Sequence, residues 1–91
     1  MAMAPESVPA EVIGFVEGIM ERIARRSGWR LSPNRERRRK LIAHMLANWA
    51  NYGHPYCPCR TERTRETICP CAWVAEEIER DGRCTCGLFY K

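Results

Sequence analysis

The sequence predicts a small all-α domain of about three to five helices, formed by residues 1–91 as one unit. Apolar side chains recur at helical spacing in three stretches, and no stretch carries the alternating pattern of a convincing β-strand. In a chain of 91 residues the hydrophobic core alone gives modest stability, which a bound metal or a covalent link commonly supplements. We therefore divide the chain into a helical scaffold, residues 1–51, and a cysteine-containing region, residues 52–91.

The first helix is predicted to begin after Ser7 as the N-cap, with Pro9 in its first turn, and to end at Gly28. Glu11 lies near its start and arginines lie near its end, which is the charge order that the helix dipole favours. The side chains at helical spacing are Val8, Val12, Phe15, Val16, Ile19, Met20 and Ile23. We expect them to pack into the core.

The second helix is predicted to begin with Ser32 as its cap and Pro33 at its first position, and to end near Asn51. Its apolar face consists of Leu41, Ile42, Met45, Leu46 and Trp49. Trp29, Trp49 and Trp73 each fit a helix face or end, so we expect all three tryptophans in the core.

A basic run, residues 35–40, lies at the start of the second helix and consists of Arg35, Glu36, Arg37, Arg38, Arg39 and Lys40. Its cations oppose the positive end of the helix dipole, typically by some tenths of a kcal/mol each. The run fits either a docking patch for an acidic partner or a solvated helix end. No aromatic residues for base stacking are interleaved with it, which disfavours binding of nucleic acid.

The third helix is predicted from Pro70 to Asp81, with Gly82 as its stop. Before it, Gly and Pro place a loop after Asn51, and residues 60–67 have room for one or two helical turns. We expect Trp73, Val74 and Ile78 to face inward and Glu76, Glu77 and Glu79 to face outward.

The N-terminal sequence argues for the cytoplasm. Residues 1–9 lack the basic and apolar regions of a signal peptide, and the apolar runs of the chain are far shorter than the roughly 20 residues of a membrane span. We therefore expect a reducing compartment and no membrane association. There, clustered cysteines are metal ligands or catalytic thiols more often than structural disulfides.

All six cysteines lie in three Cys-x-Cys motifs, which are Cys57-Pro58-Cys59, Cys69-Pro70-Cys71 and Cys84-Thr85-Cys86. A zinc site uses four ligands, but its cysteine pairs are usually separated by two to four residues. An iron–sulfur cubane also takes four thiolates, and it spreads them over several metal atoms. Three alternatives stand: an iron–sulfur site with a redox-active pair, a zinc-binding module whose basic helix binds nucleic acid, and a disulfide framework.

The cysteine region resembles the catalytic subunit of ferredoxin:thioredoxin reductase. The resemblance rests on Tyr-Cys-Pro-Cys-Arg at residues 56–60, Ile-Cys-Pro-Cys at residues 68–71 and Gly-Arg-Cys-Thr-Cys-Gly-Leu-Phe at residues 82–89. It implies an all-helical fold around a [4Fe-4S] cluster near the C-terminal half. It also implies ferredoxin as the electron donor, a thioredoxin-like protein or other disulfide as the acceptor, and, as in plant-type members, a second small subunit.

The resemblance also assigns roles to the cysteines. The ligands of the [4Fe-4S] cluster would be Cys57, Cys69, Cys71 and Cys84. Cys59 and Cys86 would form the active-site disulfide, with Cys59 as the nucleophile that attacks the partner. Arg60 follows Cys59 and is a candidate for lowering the pKa of that thiol, although an arginine in a loop is more often solvated.

One position departs from the family pattern. Familiar members carry Cys-His-Cys as the third motif, whereas this chain has Thr85 at the middle position. A hydroxyl donates a hydrogen bond but does not titrate near neutral pH, so proton transfer must differ here. His54 is a candidate substitute, although a loop histidine is more often structural or solvated; His44 is expected at the surface or core edge.

Overall fold

The structure is a computed structural model that describes residues 2–91. The elements in chain order are a 3-10 turn at Pro5–Ser7, helix α1 at Ala10–Ser27, strand β1 at Arg30–Leu31, helix α2 at Arg35–Tyr52, a 3-10 turn at Arg65–Thr67, helix α3 at Val74–Asp81 and strand β2 at Phe89–Tyr90. The predicted all-α class is therefore confirmed.

Helix α1 ends as predicted but begins differently. Gly28 adopts a φ of 79°, the left-handed conformation that ends many helices. The N-cap is Pro9, whose carbonyl accepts from the backbone N–H groups of residues 12 and 13. Ser7 lies in the preceding 3-10 turn, and its prediction as the cap is wrong because the turn carries the chain away from the helix start.

The apolar face of α1 is wider than the surface that covers it. Val16 and Met20 are buried, but Val12 is 42% exposed and Phe15 is 69% exposed. The prediction that Val12 and Phe15 pack into the core is therefore wrong. Helix α1 packs against α2 and β1, and neither element covers the edge that carries Val12 and Phe15.

Helix α2 begins at Asn34, whose side chain accepts from the backbone N–H of Arg37 at 3.1 Å. The prediction of Ser32 as the N-cap is wrong. The backbone N–H of Ser32 donates to the carbonyl of Leu88 at 2.8 Å, so Ser32 extends the short β-sheet and does not start the helix. The helix ends at Tyr52, one residue beyond the predicted end.

Two arginines of the basic run hold α1 against α2. Arg38 and Arg39 both form ion pairs with Glu17, which lies in the middle of α1. Arg38 also donates to the carbonyl of Ser32, and Arg39 to that of Ala10. Arg38 and Arg39 therefore hold the two helices together. Neither the docking patch nor the solvated helix end predicted from the sequence describes this role. The remaining cations, Arg35, Arg37 and Lys40, are exposed.

Helix α3 is shorter than predicted, because the backbone N–H of Ala72 donates to the carbonyl of Glu66 and only Val74 begins the helix. Gly82 ends it with a φ of 80°, as predicted. Val74 and Ile78 are buried as expected. Two other predictions for this helix are wrong: Trp73 is 40% exposed, and Glu77 is buried.

A two-stranded antiparallel sheet, absent from the sequence prediction, joins the linker between α1 and α2 to the C-terminus. Arg30 pairs with Tyr90 and Leu31 pairs with Phe89. Two residues per strand are too few to show an alternating pattern in the sequence. Phe89 is almost fully buried against the half-buried ring of Trp29, with ring centroids 5.5 Å apart.

The core combines side chains from the helices with the cysteine region. Ile42 and Met45 of α2 lie in one cluster with Leu88, Phe89 and five of the six cysteines. Trp49 is 51% exposed, so its predicted place in the core is wrong. Within residues 2–91, every helix is too short or too polar to cross a membrane.

Candidate functional site

Backbone pairing brings the three cysteine motifs together. Tyr56 and Ile68 form an antiparallel bridge, and Cys57 donates its backbone N–H to the carbonyl of Thr67 at 2.7 Å. The third motif follows α3, and the backbone N–H of Cys84 donates to the carbonyl of Phe89 at 2.9 Å. One buried pocket is lined by the sulfur-bearing residues Cys57, Cys69, Cys71, Cys84 and Cys86. Cys59 is the exposed cysteine, and all six are free thiols.

The loop after α3 surrounds Cys84 with hydrogen-bond donors. The backbone N–H of Phe89 donates to its sulfur at 3.3 Å, and the sulfurs of Cys84 and Cys86 lie 3.6 Å apart. Gly87, with a φ of 80°, makes the turn that returns the chain to these sulfurs. The hydrogen bond from Cys86 is the main cause that lowers the pKa of Cys84 to about 6, against the opposing effect of burial. Cys84 is therefore stabilised as the thiolate, the form that ligates metals.

The single proton of the Cys86 thiol acts on two neighbouring sulfurs. Its hydrogen bond is also the main cause that lowers the pKa of Cys57 to about 7. The pKa of Cys86 itself is raised, chiefly because its thiol donates to Cys57 and Cys84 and also because it is buried. Burial is likewise the main cause that raises the pKa of Cys69. At neutral pH, Cys86 therefore keeps its proton beside two sulfurs whose pKa values are lowered.

Cys59 lies at the edge of this group. Its partial burial and the nearby Cys57 raise its pKa, while the charge of Arg37 and a hydrogen bond with Cys86 oppose the rise. The pKa of Cys59 is therefore not lowered overall, and the arginine whose charge opposes the rise is Arg37 and not the candidate Arg60. The side chain of Arg60 turns toward the sulfur of Cys71, 3.7 Å from its Nη2 atom.

Glu77 is a site residue that the sequence prediction missed. Its carboxylate accepts from the backbone N–H of Thr85 at 3.0 Å and from the Thr85 hydroxyl at 2.6 Å. It also forms an ion pair with Arg60, whose guanidinium lies 4.9 Å from the ring centroid of Trp73. Burial would raise the pKa of Glu77, but the hydrogen bonds from Thr85 and Arg60 outweigh it and the pKa is lowered.

Helical spacing contained the signal for Glu77. The buried residues Val74 and Ile78 are four positions apart, and Glu77 follows Val74 by three, so all three share one face of α3. The histidine candidates lie elsewhere. His54 is exposed with its ring edge against Tyr56, outside the sulfur pocket, and His44 is exposed on α2 as predicted for a surface residue.

Arg37 is a second residue whose place only the structure reveals. Its guanidinium donates to the backbone carbonyl of Cys86 at 3.2 Å, although 49 residues separate the two in the sequence. The predicted basic run thus contributes one cation to the sulfur site. Arg37 and Cys86 together connect helix α2 to the third cysteine motif.

The family model described as ferredoxin thioredoxin reductase catalytic beta chain matches residues 8–91. The chain belongs to this family. The predicted resemblance is thereby confirmed, and it extends from the cysteine motifs through both long helices. A search of the curated proteins found no match.

The family is known to bind an iron–sulfur cluster. Within residues 2–91, no group of three or more His, Cys, Asp or Glu side chains is arranged to hold a single metal ion. The chemistry of the donor set fits a cluster, because five buried sulfurs line one pocket and a cubane takes four thiolates. The Nε of Arg60, which lines the same pocket, is buried and has no hydrogen-bond partner among the described residues. It is therefore a cationic donor available to an anionic group.

Proposed function

We propose that the protein is an iron–sulfur disulfide reductase that passes electrons from ferredoxin to the disulfide of thioredoxin or a thioredoxin-like protein. The observation that carries the proposal is the exposed thiol of Cys59 at the edge of a pocket lined by five buried sulfurs, in a chain of this family. Residues 1–91 would act as one domain. Clustered cysteines that act as metal ligands and as a redox-active pair are typical of a reducing compartment, and we propose the cytoplasm.

In this proposal four cysteines hold a [4Fe-4S] cluster, namely Cys57, Cys69, Cys71 and Cys84. When bound, the cluster supplies storage for single electrons beside the Cys59–Cys86 pair. The lowered pKa values of Cys57 and Cys84 support this assignment, because the thiolate is the form of cysteine that ligates metals. Arg60 supports it through its hydrogen bond to the sulfur of Cys71.

Cys59 would attack the partner protein. Its thiolate forms a bond to one sulfur of the partner disulfide, and the other partner sulfur leaves as a thiolate. Exposure favours Cys59 for this step over the five buried cysteines. The product is a mixed disulfide between Cys59 and the partner.

Cys86 would resolve the mixed disulfide. Its sulfur attacks the sulfur of Cys59 and loses its proton, which forms the Cys59–Cys86 disulfide; the second partner sulfur leaves as a thiolate and takes up a proton in place of the one that Cys86 has lost. The partner has then gained two electrons from the cysteine pair, and two ferredoxins return them one at a time. Cys86 is close enough to Cys59 to oppose the rise in the pKa of that thiol, which supports this pairing. The Thr85 hydroxyl is bound to Glu77, so it is oriented beside Cys86 without titrating itself.

The deciding measurement is the iron, acid-labile sulfide and zinc content of protein purified without oxygen. We expect four irons and four sulfides per chain and a brown protein. Cys59→Ser should keep iron and sulfide but lose disulfide exchange, whereas Cys69→Ser should lose the metal as well. One zinc and no sulfide would overturn the proposal in favour of a zinc-binding module.

A further inference from the structure

The guanidinium groups of Arg37 and Arg83 both lie next to Gly87, the residue that follows the third cysteine motif. A methyl group added to Gly87 would lie 3.4 Å from the Nε of Arg37 and 3.4 Å from an Nη atom of Arg83. The backbone of Gly87 is buried, whereas both arginines are exposed. The two guanidiniums therefore cover the same side of one glycine, at the surface of the protein.

Neither of these cations forms an ion pair within 4.0 Å of a carboxylate in residues 2–91; the charge of Arg83 acts on Asp81, but that carboxylate is paired with Arg80. The ion pairs in this part of the chain join Arg38 and Arg39 to Glu17, Arg60 to Glu77 and Arg80 to Asp81. Arg37 and Arg83 are absent from these pairs. Two like charges in close approach repel each other, and an anion between them relieves the repulsion. Guanidiniums bind carboxylates with paired, charge-assisted hydrogen bonds.

The position of this pair relates it to the exposed thiol. Arg37 donates to the carbonyl of Cys86, which anchors its guanidinium beside the third motif. Cys86 is the cysteine that the proposed function pairs with Cys59 in the active-site disulfide. An anion held by the two arginines would thus lie beside the cysteine pair that the partner disulfide must reach.

We propose that Arg37 and Arg83 form a carboxylate-docking pair that selects disulfide substrates with an aspartate or glutamate beside the disulfide. The occupant is a side-chain carboxylate of the acceptor protein, and the argument is charge complementarity next to the nucleophile. This inference rests on the proposed function, because it assigns the specificity of the same site.

The first test uses turnover. Two peptides with the same disulfide differ only in a glutamate or a glutamine beside it, and the holoprotein reduces them with reduced ferredoxin as donor. We expect kcat/KM to be about five- to tenfold higher for the glutamate peptide, mainly through KM. The Arg37→Gln/Arg83→Gln variant should lose this preference, whereas Arg26→Gln, an exposed arginine at the end of α1, should keep it. An unchanged preference in the double variant would overturn the docking pair.

The second test does not depend on catalysis. Cys59 in the reduced protein is allowed to react with an aromatic disulfide that carries carboxylates and with an uncharged pyridyl disulfide, and the modified residue is identified by mass spectrometry. The ratio of the two rates cancels any change in the pKa of Cys59. We expect the ratio to fall about fivefold in Arg83→Gln and to stay constant in Arg26→Gln. A constant ratio in Arg83→Gln would overturn the docking pair.

The two tests separate the two proposals. If the wild-type holoprotein reduces neither peptide, the proposed function fails, and the rate ratio at Cys59 still decides whether the arginines attract a carboxylate. If both peptides are reduced equally and the ratio is constant, the function stands and the docking pair is wrong.

Discussion

Replacing Glu77 by alanine would remove a carboxylate that connects all three cysteine motifs. Glu77 pairs with Arg60, which follows the first motif and contacts the sulfur of Cys71 in the second. It also accepts two hydrogen bonds from Thr85 in the third motif. The variant leaves a partly buried arginine without its counter-ion and a backbone N–H without its acceptor.

The magnitude follows from the burial of this ion pair. The side chain of Glu77 is 8% exposed and that of Arg60 is 23% exposed. Removing one partner of a fully buried pair costs about 3 to 5 kcal/mol, and the exposure of Arg60 reduces this cost through solvent. We therefore expect Glu77→Ala to lower the free energy of unfolding by about 3 kcal/mol. Glu77→Gln should cost about 2 kcal/mol, because its amide oxygen still accepts from Thr85.

The assay is urea unfolding of the anaerobically purified holoprotein, followed by far-ultraviolet circular dichroism. For an m-value of about 1.5 kcal/mol per M, Glu77→Ala should lower the midpoint by about 2 M. Glu76→Ala is the matched control, since Glu76 is the neighbouring, exposed glutamate of α3 and should change the free energy by about 0.5 kcal/mol or less. Equal midpoints for the two variants would refute the role assigned to Glu77.

Three further predictions concern pH, glycine and burial. The pKa of Glu77 is held below its usual value of 4.5, so the carboxylate stabilises the fold above pH 4.5 and this stabilisation is lost as the pH falls. The difference in unfolding midpoint between the wild type and Glu77→Gln should therefore shrink below pH 4.5. Gly87→Ala should destabilise the protein by about 1 to 2 kcal/mol, because the φ of Gly87 is 80°. Gly18 lies inside α1, and no heavy atom lies within 4 Å of the methyl group that alanine would add. Gly18→Ala should therefore stabilise the protein by up to about 1 kcal/mol in the same urea assay. Phe89→Ala should lower the free energy of unfolding by about 3 to 5 kcal/mol, because Phe89 is buried, whereas the same change at the exposed Phe15 should lower it by less than about 1 kcal/mol. Similar thermal midpoints for the two variants would contradict the assignment of Phe89 to the core.

Helix ends were predictable where one residue decides the backbone. Gly28 and Gly82 end α1 and α3 because both adopt a positive φ, which glycine reaches without steric cost. The N-caps were predicted incorrectly. Ser7 and Ser32 have the right chemistry, but a 3-10 turn and a β-sheet hydrogen bond occupy the backbone around them.

Burial was predictable only where a neighbouring element covers the residue. Ile42 and Ile78 are buried as their spacing predicts, whereas Phe15, Trp49 and Trp73 are apolar and exposed. Helical spacing identifies a face of a helix, but it does not show how much of that face another element covers.

By itself, the sequence determined the helical class, the family and the three cysteine motifs, because these depend on local spacing and on the identity of the side chains. The tertiary structure decided that Cys59 is exposed, that Glu77 neutralises Arg60, and that Arg37 reaches the carbonyl of Cys86. These contacts join residues 17 to 49 positions apart, so they exist only after the elements pack together. Packing also sets the dielectric environment and the hydrogen bonds of each sulfur, which is why the pKa order of the cysteines could not be read from their motifs.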